Sequence, residues 1–289
     1  MIRCQNCGGP PYAATRTECP HCGFFPPLIN ELPAWAPDLA EYGSGYDAKA
    51  FATLAEHQAD NFWFKSRNEL IIWAAKTYFP DPTSFLEIGC GTGFVLSGIS
   101  SAFPSTSLTG TEIFSAGLEF AKACVPSARL MQMDARRIPF DEEFDMAGAF
   151  DVIEHIEEDT IVLSELHRAL KPKGGLLLTV PQHPWLWSQT DEFAHHKRRY
   201  MASELHRKVE AAGFSILRST SFVSILLPAL AVSRILPHLR PNFDPLRELN
   251  ISRISNVILG EMLSVERWIL RQGISLPVGG SRLLVAQKK

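Results

Sequence analysis

A glycine-rich stretch at residues 84–96 constrains the fold more than any other part of this sequence. A short apolar run, predicted to be a buried strand, ends at Glu87, and apolar residues resume at helical spacing after the alternating glycines Gly89, Gly91 and Gly93. Glycine is needed where the backbone takes a positive φ or lets another group approach closely. A strand, a glycine turn and a helix N-terminus form a mononucleotide-binding corner at the carboxyl end of a parallel sheet. The glycines alone would also fit an ordinary tight turn, but their place between a strand and a helix favours a nucleotide-like cofactor.

The spacing of the third glycine narrows the choice of cofactor. Dinucleotide enzymes use Gly-x-Gly-x-x-Gly, in which the helix N-terminus binds a pyrophosphate, whereas Gly93 comes one residue earlier. The pattern Glu-x-Gly-x-Gly-x-Gly resembles motif I of the class I S-adenosylmethionine-dependent methyltransferases. The resemblance implies that the loop wraps the cofactor and that Glu87 lies near its ammonium group. The residues that the resemblance assigns to the cofactor here are Glu87, Gly89, Cys90, Gly91, Thr92 and Gly93.

Two further predicted strands end at candidate cofactor residues. The strand at 107–113 ends at Glu112 and Ile113, about twenty positions beyond the glycine loop, where a carboxylate is expected to bind a ribose diol. This spacing fits NAD enzymes and methyltransferases equally. The next strand ends at Asp134, and the resemblance implies that Asp134 accepts a hydrogen bond from the adenine amine, with the Ala135 amide nearby.

The end of the fourth predicted strand decides between these cofactors. The strand at 144–151 ends at Asp151 and is followed by Val-Ile-Glu-His-Ile at 152–156. This ending is similar to the post-glycine motif of the methyltransferases, in which the strand tip faces the transferable methyl group. NAD dehydrogenases do not usually show it, so the sequence favours S-adenosylmethionine, and Asp151 joins the candidate cofactor residues.

Alternating strands and helices predict βαβ units and a parallel sheet. Strands at 176–181, 214–221 and 281–287 complete an α/β, Rossmann-like, mostly parallel seven-stranded sheet whose last strand is antiparallel. In the resembled family the last two strands form an edge hairpin. Here about sixty residues separate them, and we interpret the helical insert at about 223–275 as a substrate-specific module of the methyltransferase domain, 47–289.

Four cysteines near the N-terminus predict a metal site. They form two Cys-x-x-Cys pairs, each followed by glycine, and such turns let two thiolates bind one ion from each side. The pattern resembles a zinc ribbon and favours zinc at residues 1–30, with a redox or disulfide role and iron as the alternatives. The ion either folds a segment too short for its own core or contributes to substrate binding. The candidate ligands are Cys4, Cys7, Cys19 and Cys22.

A proline-rich linker is predicted at 31–46, followed by helical sequence that ends at Phe79 before two prolines. The helical part carries an aromatic cluster at 62–64 and Arg67. The cluster is either simple core packing or a lid over the cofactor. In the second interpretation, which follows from the resemblance, Arg67 pairs with the cofactor carboxylate.

The loop at 182–200 is predicted to contact the substrate, because long loops at strand carboxyl ends carry such contacts in this architecture. Its basic end is similar to the His-x-Arg-Arg-Tyr segment of methyltransferases encoded among sugar and lipid-carrier enzymes, although it could also be a solvated charge run. The candidate substrate-binding residues are His195, Arg198, Arg199 and Tyr200. If the acceptor needs a general base, the candidates are His155, His183 and His196, because imidazole titrates near neutral pH.

Composition limits the classes of partner. The net charge of −3 argues against a dominant nucleic-acid-binding surface. The first residues lack the apolar core of a signal peptide, and no uncharged apolar run reaches the roughly 18 residues of a membrane span. A cytoplasmic location is therefore predicted. The apolar segment 222–239, flanked by arginines, either dips into the inner membrane face or packs on the next helix.

The leading functional hypothesis is an S-adenosylmethionine-dependent methyltransferase that acts on a small-molecule or lipid-linked acceptor, such as a carrier-bound sugar. An RNA methyltransferase is the second hypothesis, because some of those enzymes also join a zinc ribbon to this fold. An inactive cofactor-binding adaptor is the third. The sequence does not predict the acceptor atom or the oligomeric state.

Overall fold

The structure is a computed structural model that describes residues 1–13, 18–40, 48–235 and 251–289. Its centre is a seven-stranded sheet with the strand order β5-β4-β3-β6-β7-β9-β8, beside a separate two-stranded sheet of β1 and β2. The strands are β1, Leu28–Ile29; β2, Leu32–Pro33; β3, Ser84–Ile88; β4, Ser107–Glu112; β5, Arg129–Gln132; β6, Phe144–Phe150; β7, Leu170–Pro181; β8, Phe214–Phe222; and β9, Ser281–Lys288.

The pairing of the strands confirms the predicted fold class. Strands β5, β4, β3, β6 and β7 are mutually parallel, and β9 lies antiparallel between β7 and β8. The chain winds from β3 towards β5 in one direction and from β6 towards β7 in the other. The crevice outside the carboxyl ends of β3 and β6 is therefore the topological switch point, where open α/β sheets bind their ligands.

Helices cover both faces of the sheet. The described α-helices are α1, Ala48–His57; α2, Phe62–Tyr78; α3, Phe94–Ala102; α4, Ser115–Cys124; α5, Asp159–Ala169; α6, Gln189–Phe193; α7, Ala202–Ala211; α8, Leu227–Ile235; and α9, Arg253–Arg271. Successive side chains of a strand point to opposite faces. Phe85 of β3 accordingly packs with residues of α2, α3, α4 and α9, whereas Leu86 packs with those of α5 and α7.

The N-terminal residues pack against the edge of the sheet at β5. Ile2 is buried with the cysteine segment beside Phe140, and the Trp35 amide donates to the Gln132 carbonyl at 2.8 Å. The buried Gln132 side chain bonds the backbone of Ala36 through both its oxygen and its nitrogen. The described part of the predicted linker, 31–40, thus lies on the sheet, while the remainder of that prediction falls outside the described residues.

The helical predictions hold in outline, with a break between α1 and α2. Asn61 ends the break, and its side chain caps α2 by accepting from the Trp63 amide. In the insert, Leu263 and Leu270 of α9 are buried in the core that also contains α2, whereas other apolar side chains of α9 are exposed. The exposed ones include Ile254, Ile258 and Val265. The end of the predicted segment 222–239 lies outside the described residues.

No described helix has the length and hydropathy that crossing a membrane requires.

Glu266 of α9 fixes the turn between β8 and α8. Its carboxylate, only 2% exposed, accepts from the amides of Val223, Ser224 and Ile225 at 2.6 to 2.8 Å. The start of the insert is therefore tied to α9.

Asp145 joins the starts of three strands and makes the stability of the sheet depend on pH. Its carboxylate accepts from the amides of Thr83 and Ser84 and from the Lys171 ammonium at 2.8 Å. Burial alone would raise the pKa of Asp145, but the hydrogen bonds from Lys171, Thr83 and Ser84 outweigh it and lower this pKa to about 2. A lowered carboxyl pKa stabilises the fold above the unfolded-state pKa of about 4, and this contribution is lost as the pH falls towards 2.

We expect Asp145→Asn to lose this dependence. Urea unfolding at pH 5, 4, 3 and 2.5 should show the difference in unfolding free energy between wild type and variant shrinking by on the order of 1–2 kcal/mol. Asp81→Asn, at an exposed position, is the control and should follow the wild type. A difference that stays constant across this range would contradict the prediction.

Candidate active site

A cavity of about 640 Å³ lies at the switch point, outside the carboxyl ends of β3, β4 and β6. Its walls come from the glycine loop, from α1 and α2, and from the segments that follow β4, β5 and β6. All of the predicted cofactor residues line it except Gly93. The structure thus brings together residues that are up to 84 positions apart in the sequence.

The glycine loop takes the left-handed backbone that its sequence predicts. The φ values of Gly89, Gly91 and Gly93 are +66°, +51° and +81°. A Cβ on Gly89 would lie 2.5 Å from Val152, and one on Gly93 would lie 3.0 Å from the Ala121 backbone. Gly93 therefore lets α3 begin close to α4. A Cβ on Gly91 would meet nothing nearer than a ring atom 3.8 Å away, so the Gly91 backbone is open to the cavity.

Glu112 holds the glycine loop against the end of β4. One carboxylate oxygen accepts from the Gly91 amide at 3.0 Å, and the other accepts from the amides of Ile113 and Phe114. Burial raises the pKa of Glu112, although these backbone hydrogen bonds oppose the shift. Each oxygen can accept further bonds. The carboxylate could therefore bind the two hydroxyls of a ribose while keeping its hold on the loop.

Glu87 is a buried carboxyl group with an unmet hydrogen-bonding capacity. It is 2% exposed and lines the cavity, and one of its oxygens has no hydrogen-bond partner among the described residues. Burial raises the pKa of Glu87 well above its usual range, while the charge of Arg67 acts in the opposite direction. Such a group would be stabilised by a cationic ligand in the cavity.

Arg67 lies beneath the aromatic cluster of α2 and faces the acidic side of the cavity. Its guanidinium is 4.7 Å from the Trp63 ring centroid and pairs with the carboxylate of Asp151. Arg67 is therefore already engaged with a protein carboxylate. Its predicted pairing with a cofactor carboxylate, which stays a prediction, would share or replace that contact.

Asp134 has a partner that sequence reasoning missed. Arg136, two residues later, binds the Asp134 carboxylate through Nε and a terminal nitrogen, and its other terminal nitrogen reaches Glu158 at 3.1 Å. Both Asp134 and Arg136 line the cavity. The Asp-x-Arg spacing is the sequence signal that could have predicted this ion pair, because it permits a bidentate contact across one turn.

The loop after β7 is held together by Asp191, which is fully buried. Its carboxylate accepts from the Ser188 amide, from Arg199 Nε at 2.7 Å and from His196 Nδ1 at 2.8 Å. Burial opposes ionisation, but the hydrogen bonds from His196 and Arg199 prevail and lower the pKa of Asp191 to about 2. Asp191 therefore ties Arg199 and His196 together within the loop.

The predicted substrate-binding residues have mostly structural contacts. Tyr200 is fully buried and its hydroxyl donates to Asp159 at 2.6 Å, Arg198 pairs with Asp159 at 3.0 Å, and Arg199 is bound to Asp191. His195 is exposed, and none of the four lines the described cavity. From this loop the cavity is lined by Ala194, His196 and Lys197. A role in substrate binding stays a prediction for the four residues.

Two of the three candidate base histidines face the cavity. His155 and His196 line it, with ring centroids 4.7 Å apart in an edge-on arrangement, whereas His183 stacks on Trp185 outside the lining. Burial and the neighbouring His196 lower the pKa of His155 to about 3. His155 is therefore neutral near pH 7 and a weak base, so His196 has the better position for proton transfer.

The four cysteines converge as their spacing predicts. The Sγ atoms of Cys4 and Cys22 are 3.6 Å apart, and those of Cys7 and Cys19 are 3.7 Å apart. A disulfide would need about 2.05 Å. Tetrahedral thiolates at about 2.3 Å from one zinc ion are about 3.8 Å apart. The spacing therefore fits a tetrahedral ligand set.

Comparisons with known proteins agree with this geometry. A family model described as a methyltransferase domain matches residues 86–178. A probable S-adenosylmethionine-dependent methyltransferase of Mycolicibacterium smegmatis is 27% identical over 192 residues, which are 65% of this chain and 68% of that protein. A malonyl-[acyl-carrier protein] O-methyltransferase of Priestia megaterium is 25% identical over 114 residues, or 39% of this chain and 42% of that protein. The matches thus span about half the length of these curated relatives.

Among solved structures, the chain resembles Haemonchus contortus phosphoethanolamine N-methyltransferase 2 in complex with S-adenosyl-L-methionine. The TM-score is 0.56 at 18% identity, and the match covers 85% of this chain and 58% of that one. At this level of identity the likeness concerns the fold alone. It agrees with the seven-stranded sheet described above.

The contacts of Asp191 generate a stability prediction. We expect Asp191→Ala to lower the free energy of unfolding by about 3 kcal/mol, because it leaves the buried Arg199 charge and several donors without their acceptor. Glu192→Ala, at the exposed neighbouring position, is the matched control and should change it by less than about 0.5 kcal/mol. Urea unfolding at pH 7 measures both. Equal effects of the two substitutions would contradict the assigned role of Asp191.

Proposed function

We propose that this chain, which carries a class I S-adenosylmethionine-dependent methyltransferase domain, transfers a methyl group from S-adenosylmethionine to a small-molecule or lipid-linked acceptor. The observation that carries the proposal is the buried Glu87 carboxyl group, which lines the cavity at the glycine loop and has one oxygen without a hydrogen-bond partner among the described residues. A ligand with an ammonium group would supply the missing partner.

The charge of the cavity supports a cationic cofactor. Four cavity-lining carboxyl groups, Glu87, Glu112, Asp134 and Asp151, are accompanied by Arg67 and Arg136 and by Lys197 at the mouth. S-adenosylmethionine carries a sulfonium and an ammonium group against one carboxylate, so it is a net cation. An acidic lining stabilises such a ligand through the field of its charges.

The residues of the chain would each hold one part of the cofactor. Glu87 would accept from the ammonium group, Glu112 would bind the ribose hydroxyls, and Asp134 would accept from the adenine amine. The bound cofactor supplies an activated methyl group for an in-line displacement. The chain then mainly supplies proximity and alignment, because well-oriented reactants gain several powers of ten in rate.

The acceptor would enter beside α2 and the loop after β7. Trp63, Phe64 and Phe94 give this part of the cavity an apolar, aromatic wall, and Lys197 places a positive charge at the same mouth. These groups suit an acceptor that has an apolar portion and an anionic one, as a carrier-linked or lipid-linked substrate has. Of the predicted bases, His196 is the one we assign to the acceptor, since Asp191 orients its ring.

Binding of the cofactor tests the role of Glu112. We expect Glu112→Gln to weaken S-adenosylmethionine binding at least tenfold in titration calorimetry, because the variant loses a charged acceptor for the ribose hydroxyls. Glu119→Gln, an exposed change on α4, should bind like the wild type. An unchanged affinity of Glu112→Gln would remove this assignment, and no binding by wild type would remove the proposed function.

Catalysis is tested with methyl-labelled cofactor and a total cell extract that is afterwards separated into lipid, RNA and small-molecule fractions. Label in the lipid or small-molecule fraction supports the proposal. Label confined to RNA would replace it with the RNA methyltransferase hypothesis. Cofactor binding without label in any fraction would favour the inactive adaptor.

We also propose that the four cysteines bind one structural zinc ion. Cys4 and Cys19 are buried in the core that contains Ile2 and Phe140, so the ion would fix a segment that forms part of the sheet's hydrophobic face. Binding of a metal to the folded state adds directly to its stability. The role we assign to the ion is therefore to keep this segment folded on the sheet.

We expect purified protein to contain about one zinc ion per chain when its metal content is measured by mass spectrometry. We expect Cys22→Ser to lower both the zinc content and the melting temperature, because three thiolates hold the ion less well than four. Cys124→Ser, which changes an exposed free cysteine outside the cluster, should retain both. Full zinc content in Cys22→Ser would contradict the four-cysteine site.

A further inference from the structure

Glu154 is a buried carboxyl group next to the candidate site. It is 0% exposed, and neither carboxylate oxygen has a hydrogen-bond partner among the described residues. It lies in the segment directly after β6, beside the cavity. A buried carboxylate must either take up a proton or be compensated by a cation, since burial without a partner disfavours its charge.

Two imidazole rings stand next to this carboxyl group. One ligand atom each from Glu154, His155 and His196 lies within 4.8 Å of the others, and Nε2 of His196 is 4.0 Å from Oε1 of Glu154. Ligand atoms at about 2.1 Å from one ion are roughly 3 to 4.2 Å apart. The three groups therefore need only small side-chain movements to bind the same ion.

The surroundings of His196 hold its ring as a metal ligand is usually held. Its Nδ1 lies 2.8 Å from a carboxylate oxygen of Asp191, and its other nitrogen, Nε2, lies 4.0 Å from Oε1 of Glu154. In metal sites the second nitrogen of a ligating histidine typically donates to a carboxylate or a carbonyl in this way.

We propose that Glu154, His155 and His196 bind one divalent transition-metal ion of the Mn²⁺, Fe²⁺ and Zn²⁺ class at the mouth of the cavity. Two imidazoles and one carboxylate suit these ions and leave coordination positions open. The charge of the ion compensates the buried Glu154 carboxylate.

The site also narrows the acceptor class, and this part rests on the proposed function. His155 and His196 line the cavity, so an ion bound to them would lie beside the space assigned to the acceptor. An acceptor that presents oxygen atoms, as a hydroxyl or carboxylate does, would be bound and aligned through the ion. His196 then acts as a ligand of the ion in place of the base role assigned above, and the acceptor is positioned by metal coordination.

The test is a titration with MnCl₂ of the whole chain. The protein is first dialysed against a chelating resin under conditions that leave its cysteine-bound metal in place. The electron paramagnetic resonance signal of free Mn²⁺ reports binding, and Mn²⁺ has little affinity for thiolates. We expect one site in the wild type and at least tenfold weaker binding in Glu154→Gln and in His196→Gln. Glu157→Gln, an exposed change three residues after Glu154, is the matched control and should bind like the wild type.

A variant of Asp191, which orients the His196 ring, provides a second test. Asp191→Asn leaves all three ligands in place but removes the charged acceptor of His196, and we expect tenfold to hundredfold weaker Mn²⁺ binding, as for other outer-sphere partners. Near-ultraviolet circular dichroism checks that each variant is folded. Absence of Mn²⁺ binding in the wild type, or equal binding by wild type and Glu154→Gln, would overturn the proposal and leave Glu154 as a protonated buried acid. S-adenosylmethionine binding by the same wild type before Mn²⁺ is added tests the proposed function separately.

Discussion

The contact between Glu112 and the Gly91 amide is the constraint on which the candidate site depends. It joins the end of β4 to the turn that follows β3, two strands that are already paired along their length. The left-handed turn and the carboxylate thereby fix each other, and a cavity is left in front of both. Because these atoms are held before any ligand arrives, the loss of conformational freedom on binding is small.

The acidic groups in and beside the cavity are of two kinds. Glu112 and Asp134 are bound by backbone amides or by Arg136, so both carboxylates already have hydrogen-bond donors within the protein. Glu87 and Glu154 are equally buried but keep unpartnered oxygens. The first pair shapes the site. The negative charge of the second pair is stabilised only by a bound proton or by an added cation.

Local sequence was sufficient for the strands and for the loop, because these follow from apolar periodicity and from positions where only glycine fits. Gly93 illustrates the limit, since the structure packs it against Ala121, while its predicted cofactor contact stays a prediction. The basic run at the end of the long loop is the clearer case. Arg199 is bound by Asp191 of the same loop and Tyr200 by Asp159 of α5, while their predicted role in substrate binding stays a prediction. Pairing of this kind is set by tertiary structure, and the residue letters alone do not reveal it.

The position of the N-terminal segment has a consequence for how the chain is made. Its contacts join residues that are about 100 to 140 positions apart, such as Ala36 with Gln132 and Arg3 with Asp141. During synthesis the first forty residues therefore leave the ribosome well before β5 and β6, which receive them, exist. Contacts of such long sequence separation form late. Until then the segment cannot pack on the sheet. A bound metal ion would keep it folded during this time and would protect its thiols from reaction.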